Sequence, residues 1–274
     1  MKRVIIILTA FIISPLCACA QKTGANIYRT GDNTYLTVNS YVRDIVNHPA
    51  FTGFSERLLA RDNNSAYYDT PISNAASLMP YHQNINPAVI VETLNHMIDE
   101  ANSGKTIFYD FYTERQKREN CAREHTSLFF FRGEPGAPFA VVCPGGGFSY
   151  VGSLHEGFPL ALKISKKGYN AFVIRYRIGG EQIACEDLAA ALSYIFRNTQ
   201  SLEVSTDNYS LWGGSAGARM AADVSSNGTA AYGGDNFSKP GVVVMQYTGH
   251  SYYTQMIHQL LRLPVSMMVS QIRR

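Results

Sequence analysis

The residues with the clearest chemical potential form a short glycine-rich motif around one serine. Gly213, Ser215 and Gly217 fit the pattern G-x-S-x-G, in which a serine hydroxyl serves as a nucleophile in acyl transfer. The pattern alone is weak, because about one chain in ten of ordinary composition contains it by chance. Here an apolar run ending at Trp212 precedes the motif and a helix-forming run from Ala216 follows it, which predicts a strand, a tight turn and a helix. We therefore predict that Ser215 is a catalytic nucleophile and that the two glycines permit the turn that holds it.

A second glycine-rich turn lies upstream, directly after the apolar run 139–143. It contains Gly146 and Gly147, and backbone N–H groups in such a turn can point inward to bind a developing oxyanion. The N–H of Ala216, at the positive end of the helix after Ser215, is placed to join them. We predict that Gly146, Gly147 and Ala216 form an oxyanion hole. A phosphate loop is the rival interpretation, but the Walker lysine and hydroxyl residue are missing, and no G-x-G-x-x-G precedes an acidic residue.

Two ionisable residues, His155 and Glu156, follow the glycine-rich turn. His155 is a tempting general base for Ser215, but chain order argues against it, because the acid and the histidine of such a hydrolase follow the nucleophile. We interpret His155 and Glu156 as a scaffold of the site or as helix-start packing. Asp187 and Arg219 are interpreted as charges at a helix start or on a helix surface.

The elements that must position these residues follow from the spacing of apolar residues. An amphipathic helix is predicted from Asn86, its N-cap, and Pro87, its first helical residue, to a stop before Gly104. Downstream, strands and helices alternate, which predicts a mostly parallel sheet with right-handed crossovers. The predicted strands are 107–112, 127–131, 139–143, 171–176, 209–212 and 242–247, and the predicted helices are 158–166, 187–196 and 216–224.

The stretch from about residue 127 to residue 249 resembles the acetyl-xylan and feruloyl-esterase-like (BD-FAE-like) esterases of the α/β-hydrolase fold. The resemblance is carried by residues 144–148 (PGGGF), 155–157 (HEG), 168–172 (GYNAF), 176–177 (YR) and 213–217 (GGSAG). It implies an α/β fold and ester hydrolysis by acyl transfer to Ser215, on a carbohydrate-linked or small ester, with no metal and no organic cofactor. A serine peptidase of the prolyl-oligopeptidase kind is disfavoured, because the segment before Gly104 is too short for a propeller domain.

The chain departs from this family after Ser215. The histidines that remain are His250 and His258, and the acids Asp223 and Asp235 precede the last predicted strand. In the family the acid and the histidine lie on the loops after two later strands, so no plausible pair is left, and His250 comes too early for the base. The alternative function is therefore a non-catalytic exported protein that binds a glycan or a partner through the same cleft. The intact serine motif and glycine-rich turn favour descent from an enzyme.

A shift of the reading frame accounts for this departure. Methionine has a single codon, so Met267, Met268 and Val269 encode Asp and Gly when read one base earlier. In that frame the tail resembles the family's seventh strand and acid-bearing loop, whereas in the given frame 256–272 shows no persuasive strand or capped helix. Our hypothesis is a frameshift near Thr254 or Gln255, which a genomic sequence confirming the given frame would contradict.

The frameshift hypothesis carries a structural expectation. It makes 255–274 an out-of-frame tail and leaves the sheet incomplete at its C-terminal side. An incomplete sheet exposes an edge beside strand 242–247 and leaves apolar faces uncovered, so we expect a poorly soluble product.

Composition places the chain among globular proteins. Its 274 residues are 46% hydrophobic and 16% charged, which suits one main α/β domain. The formal net charge of +3 includes Lys2 and Arg3 of a leader, so nucleic acid is not an expected partner. We predict a helical and irregular N-terminal extension over 21–105 and an incomplete hydrolase core over 106–254.

Residues 1–20 have the pattern of an export signal: basic residues, an apolar run too short for a permanent membrane helix, and then small residues. Residues 18–20 (ACA) fit an A-x-A cleavage site, and 16–19 (LCAC) resemble a bacterial lipobox with Cys19 as the lipidated residue. Either interpretation predicts a mature protein outside the cytoplasm, periplasmic or held at the membrane by a lipid on Cys19. The mature chain keeps Cys121, Cys143 and Cys185, which we expect to be largely buried thiols rather than a disulfide.

Overall fold

The computed structural model describes residues 35–60, 67–78 and 85–248, and the backbone of one further strand, Leu260–Leu263. Some sequence-based expectations concern residues outside these ranges. They are the leader 1–20 with Cys19, the histidines His250 and His258, and the frameshift near Thr254. These remain predictions.

Seven strands of the described chain form one sheet, in the order β1-β2-β4-β3-β5-β6-β7. The strands are β1 (Phe108–Tyr109), β2 (Ser127–Phe131), β3 (Pro138–Cys143), β4 (Asn170–Arg175), β5 (Ser205–Gly214), β6 (Val242–Gln246) and β7 (Leu260–Leu263). From β4 to β7 the neighbouring strands are parallel, whereas β2 is antiparallel to both β1 and β4. This confirms the predicted, mostly parallel sheet.

Strand β1 is shorter than the predicted strand 107–112. It pairs with β2 only at Phe108 and Tyr109, and the chain then leaves the sheet. Phe111 and Tyr112 are nevertheless buried in the core, so their apolar character reflects packing and not sheet pairing. The aromatic run alone does not distinguish these two situations.

Strand β7 corrects the expectation that residues 256–272 form no strand. Its backbone pairs in parallel with β6, from Val243 with Leu260 to Gln246 with Leu263. The edge of β6 is therefore covered over these residues, and the predicted open edge beside 242–247 is wrong there. The physical reason is that an edge strand presents unpaired N–H and C=O groups, which even a short extended segment can satisfy.

Helices lie on both faces of the sheet. They are α1 (Val42–Val46), α2 (Pro87–Asn102), α3 (Glu114–Glu119), α4 (Phe158–Ser165), α5 (Glu181–Arg197), α6 (Thr199–Leu202) and α7 (Ala216–Asn227). Short 3-10 helices (Pro49–Phe51, Ser55–Leu58, Ile72–Leu78, Cys121–His125, Thr229–Tyr232) and a π-helical turn (Ser153–Gly157) lie between them. Helix α2 confirms the predicted start, because the Asn86 side chain accepts a hydrogen bond from the N–H of Ala88 at 3.0 Å.

Helix α5 begins at Glu181, well before the predicted start at Asp187. Gly180, with φ 155°, precedes the helix in a conformation that favours glycine. Helix α5 begins with two polar residues, Glu181 and Gln182, so the apolar periodicity that predicts a helix becomes clear only further along. The prediction was wrong about the start of this helix and right about its existence.

The side chains of the central strands alternate between two apolar layers. Leu128 and Phe130 of β2 pack with α5 and α7 on one face, while Phe129 and Phe131 pack with α2 and α4 on the other. Helices on both faces require strands that are apolar on both faces. The continuous apolar runs of β2, β3 and β4 follow from this requirement.

The segment before the sheet supplies much of one apolar layer. Buried residues of this segment, such as Ile45, Phe51 and Leu94, share one cluster with Phe129 of β2 and Phe158 of α4. The described part of the N-terminal extension is therefore packed onto the sheet as a continuous core.

Candidate active site

Ser215 occupies the single residue between strand β5 and helix α7. Its backbone has φ 49° and ψ −114°, a conformation that non-glycine residues rarely adopt. The Ser215 N–H donates to the carbonyl of Gln246 at 3.0 Å, which fixes the turn to the end of β6. This sharp strand-to-helix turn is the geometry that presents a serine hydroxyl at the edge of the sheet.

The glycines of the motif permit close contact between backbone segments. A Cβ on Gly213 would lie 2.3 Å from the carbonyl oxygen of Gly217, and a Cβ on Gly217 would lie 1.9 Å from the carbonyl oxygen of Cys143. Real Cβ atoms do not approach backbone this closely. The first turn of α7 is therefore packed against β5 and β3 at a distance that only glycine allows.

The glycine-rich turn after β3 lies at the same edge of the sheet as Ser215. Strands β3 and β5 are adjacent and parallel, and Cys143 is the register partner of Gly213. Gly146 and Gly147 have φ values of 139° and 61°, so the turn depends on conformations that favour glycine. The structure thus brings together the segments that carry the predicted oxyanion donors Gly146, Gly147 and Ala216, and their role in binding an oxyanion remains a prediction.

Glu156 lies in the π-helical turn Ser153–Gly157 and is buried. Its carboxylate accepts a hydrogen bond from the N–H of Gly145 at 3.1 Å and another from the hydroxyl of Tyr247. Burial raises the pKa of the Glu156 carboxyl to about 7, although these two hydrogen bonds oppose the shift. The proton occupancy of this buried group therefore changes near neutral pH.

The His155 side chain packs against Gly152, just before the turn that contains it. A Cβ on Gly152 would lie 2.9 Å from Cε1 of His155, so the ring packs against the backbone where the glycine-rich turn rejoins the helix. The structure places His155 and Glu156 in a turn that supports the glycine-rich segment, and the interpretation of the pair as scaffold remains a prediction.

The two charged residues interpreted as helix charges behave differently. Arg219 is exposed and pairs with Glu181 at the start of α5, as expected for a helix-surface charge. Asp187 corrects the interpretation, because it is fully buried in α5 and accepts hydrogen bonds from Tyr112 (2.7 Å) and from the backbone N–H of Arg177 (2.6 Å). Because α5 starts at Glu181, Asp187 lies within the helix, on its buried face, and not at the helix start.

The acids that follow Ser215 do not complete a triad in the described chain. Asp223 lies on α7, and Asp235 pairs with Arg197 at 2.6 Å near the end of α5. Among residues 35–60, 67–78 and 85–248, no group of three or more His, Cys, Asp or Glu side chains could hold a metal ion. In the same residues, no helix is long and apolar enough to cross a membrane.

Two features of the cysteines agree with the sequence-based expectation. Cys143 and Cys185 are buried in the layer beneath α5 and α7, and neither forms a disulfide. Burial raises the pKa of both thiols, which keeps them protonated.

The parallel sheet and the strand-turn-helix around Ser215 define a protein of the α/β-hydrolase class. Residues 132–238 match the family model described as BD-FAE. The matched segment contains the glycine-rich turn and the serine motif. This confirms the resemblance stated from the sequence.

Comparisons with whole proteins give weaker similarities. A sequence search of curated proteins finds no match. The α/β-hydrolase MGS-M1 from a Medee basin deep-sea metagenome library is 22% identical, with a TM-score of 0.42, over 54% of this chain and 70% of its own. An acetyl ester-xyloside bifunctional hydrolase from Caldicellulosiruptor lactoaceticus is 22% identical, with a TM-score of 0.39, over 45% of this chain and 48% of its own.

A carboxylesterase from Lactobacillus plantarum is similar at the same level. It is 21% identical, with a TM-score of 0.39, over 45% of this chain and 50% of its own. The chain therefore spans about half the length of the last two proteins.

One residue of the site could not be found from the sequence. Tyr247 follows β6 with φ 38° and donates its hydroxyl to Glu156. The sequence shows only an aromatic residue at the end of an apolar run, and no local pattern indicates a left-handed backbone or a contact with a distant carboxyl.

Proposed function

We propose that the protein is a serine esterase that forms an acyl-enzyme at Ser215 and acts on carbohydrate-linked or small carboxylic esters. The observation that carries the proposal is the position of Ser215. It lies in a strained turn between β5 and α7, at the sheet edge where the glycine-rich turn after β3 also lies. A protein that only binds a partner has no need of this strained turn beside that loop.

In the proposed reaction, the Ser215 hydroxyl attacks the ester carbonyl carbon while a base takes its proton. The bond to the alcohol then breaks, and the alcohol leaves with a proton. Water attacks the acyl-enzyme, which releases the carboxylic acid and restores Ser215. The N–H groups of Gly146, Gly147 and Ala216 hold the oxyanion in both steps. No metal or organic cofactor takes part.

We further propose that turnover is impaired, because Asp223 and Asp235 precede β6, whereas the triad acid of the family follows a later strand. An oxyanion hole and substrate binding alone sustain about a 10³- to 10⁴-fold acceleration over water in serine hydrolases without a working triad. We therefore expect slow acylation of Ser215 and slow release of the acyl group.

The experiment that tests the proposal is covalent labelling of the full chain with a fluorophosphonate probe. We expect one label, on the peptide that contains Ser215, and no label on Ser215→Ala. Ser201→Ala is the matched control, because Ser201 is an exposed serine in α6, before the start of β5 and away from the glycine-rich turn. Hydrolysis of p-nitrophenyl acetate and of acetylated xylo-oligosaccharides by the same samples then compares small and carbohydrate-linked esters.

A folded wild-type chain that takes no label, or a label that persists in Ser215→Ala, would contradict the proposal and favour a binding protein. Export belongs to the same proposal: the mature protein is periplasmic, or is anchored to the membrane through a lipid on Cys19. Fractionation of cells that carry Cys19→Ala tests the anchor, which predicts a shift from the membrane to the soluble fraction.

A further inference from the structure

One buried side chain joins the three segments that meet at Ser215. The carboxyl of Glu156 accepts the N–H of Gly145 at 3.1 Å and the hydroxyl of Tyr247. A Cβ on Gly214 would lie 1.9 Å from Oε1 of Glu156 and 2.6 Å from the Tyr247 hydroxyl, so both groups pack directly against this glycine. The contacts of Glu156 thus connect the glycine-rich turn, the end of β5 and the residue after β6.

We propose that Glu156 is a positioning residue that holds the glycine-rich turn in place beside Ser215. It acts through Gly145, which precedes the predicted donor Gly146, and through Gly214, which precedes Ser215. Displacement of the carboxyl would therefore move both the oxyanion donors and the nucleophile. This inference deepens the proposed function and rests on it for the role of Ser215.

The surroundings of Glu156 make this connection depend on pH. The titratable groups that face the carboxyl are the Tyr247 hydroxyl, the Tyr176 hydroxyl and the Cys143 thiol. Burial raises the pKa of each of these three groups, so they stay neutral while Glu156 titrates. Tyr150 also lies in this buried cluster, and His155 is the neighbouring titratable residue on the same turn.

Ionisation of Glu156 changes the strength of the connection. A carboxylate is a stronger acceptor than a neutral carboxylic acid, so the hydrogen bonds from Gly145 and Tyr247 offset part of the cost of ionising Glu156 in a buried site. Burial nevertheless raises its pKa to about 7, so the closed site favours the neutral acid and the hydrated, opened site favours the carboxylate. We therefore expect the turn to open more readily as the pH rises toward this value.

Amide hydrogen exchange on the full chain tests the proposal without needing a reaction at Ser215. Exchange of peptides from 144–152 and 213–216 is measured from about pH 5.5 to about pH 8.5, corrected for intrinsic rates, with helix α2 as the internal reference. In the wild type, protection of these peptides should fall in a step as the pH rises and level off above about pH 7. Glu156→Gln should keep the protection and lose the step, and Glu156→Ala should exchange about tenfold faster there, as expected for a lost hydrogen bond to a charged group.

His155→Asn is the matched control for the titration, and it should keep the step. The proposal is overturned by a folded Glu156→Ala that exchanges like the wild type, by a step that survives in Glu156→Gln, or by a step that disappears in His155→Asn. If Glu156→Ala does not fold, Tyr247→Phe removes only the hydroxyl contact and should speed exchange of 144–152 severalfold. Unchanged exchange in folded Tyr247→Phe equally overturns it.

Labelling of Ser215 on the same samples separates this proposal from the proposed function. A wild-type chain that shows the step but takes no fluorophosphonate label supports the positioning contact and rejects the esterase. If the wild type is labelled but substitution of Glu156 does not change exchange in the glycine-rich turn, the positioning contact is rejected and the esterase proposal is retained.

Discussion

Three non-glycine residues with positive φ lie around the candidate site. Ser215 (49°), Phe148 (54°) and Tyr247 (38°) belong to the turns after β5, β3 and β6. Each such conformation costs on the order of 1–3 kcal/mol and persists only when its surroundings impose it. Three of them at one sheet edge indicate that the packing here serves the placement of side chains and N–H groups, at some cost in stability.

At the residue scale, Gly213→Ala should be strongly destabilising. Its Cβ would lie 2.3 Å from the backbone oxygen of Gly217, and neither segment can move without disturbing the turn at Ser215. We expect a loss of about 3 kcal/mol or more in the free energy of unfolding, measured by urea denaturation.

Gly136→Ala provides the matched control for that substitution. Gly136 has φ 76°, and nothing lies within 4 Å of a Cβ placed there. Only the left-handed backbone is penalised, so the expected loss is about 1 kcal/mol. Equal losses for the two variants would contradict the close-packing argument.

Sequence reasoning reached some residues of the site and not others. Ser215 and its glycines were predictable because the turn is encoded locally, within a few residues of strand and helix signals. The contact between Glu156 and Tyr247 was not, because it joins residues far apart in the chain and depends on the left-handed backbone of Tyr247. Local patterns carry no information about such a contact.

At the scale of elements, a buried ion pair between Asp187 and Arg177 joins helix α5 to the segment that follows β4. Asp187 is fully buried, Arg177 is nearly so, and their side chains are 2.8 Å apart. Tyr112, after β1, donates to the same carboxylate. One carboxyl group thus links helix α5 with two segments that leave the sheet.

Asp187→Asn should destabilise the protein by about 3–5 kcal/mol, because it leaves the Arg177 guanidinium buried without its counter-charge. The matched control is Asp235→Asn, which breaks a largely exposed pair with Arg197 on the same helix and should cost about 1 kcal/mol or less. Thermal and urea unfolding of both variants measure the difference. A small loss for Asp187→Asn would mean that water or a rearranged side chain compensates for the missing charge.

The elements of the core were predicted best where both faces of a strand are buried. Strand β2 has the predicted bounds, because its run of apolar residues is continuous and ends sharply. Helix α5 and strand β5 extend beyond their predicted starts, because each begins with polar residues, Glu181 and Gln182 in α5 and 205–208 in β5. Strand β7 was not predicted, because its pairing depends on the open edge of β6 rather than on its own pattern.

At the scale of the whole molecule, the described N-terminal segment and the sheet share one apolar cluster. A shared core of this kind couples the two parts, so they should unfold together. The single tryptophan, Trp212, packs at the margin of this cluster and reports on the sheet, whereas α2 belongs to the N-terminal segment.

Leu94→Ala, in the buried face of α2, should therefore lower the transition seen by Trp212 fluorescence as much as the transition seen by circular dichroism. A loss of about 2–5 kcal/mol corresponds to a decrease of about 5–15 °C in Tm for a chain of this size. Glu92→Ala, on the exposed face of the same helix, should change Tm by less than about 3 °C. An unchanged Trp212 transition in Leu94→Ala would show that the N-terminal segment folds independently.

The strand order also determines when each strand can pair with its neighbours during synthesis on the ribosome. Strand β3 lies between β4 and β5, and Cys143 pairs with Gly213, which follows about 70 residues later. At roughly 5–20 residues per second, a ribosome needs roughly 4 to 14 seconds to deliver β5 after β3. During that interval β4 can pair with one edge of β3, while the other edge stays unpaired and apolar. We therefore expect the nascent chain to expose an unpaired apolar edge, on the strand that leads into the glycine-rich turn, until β5 has been made.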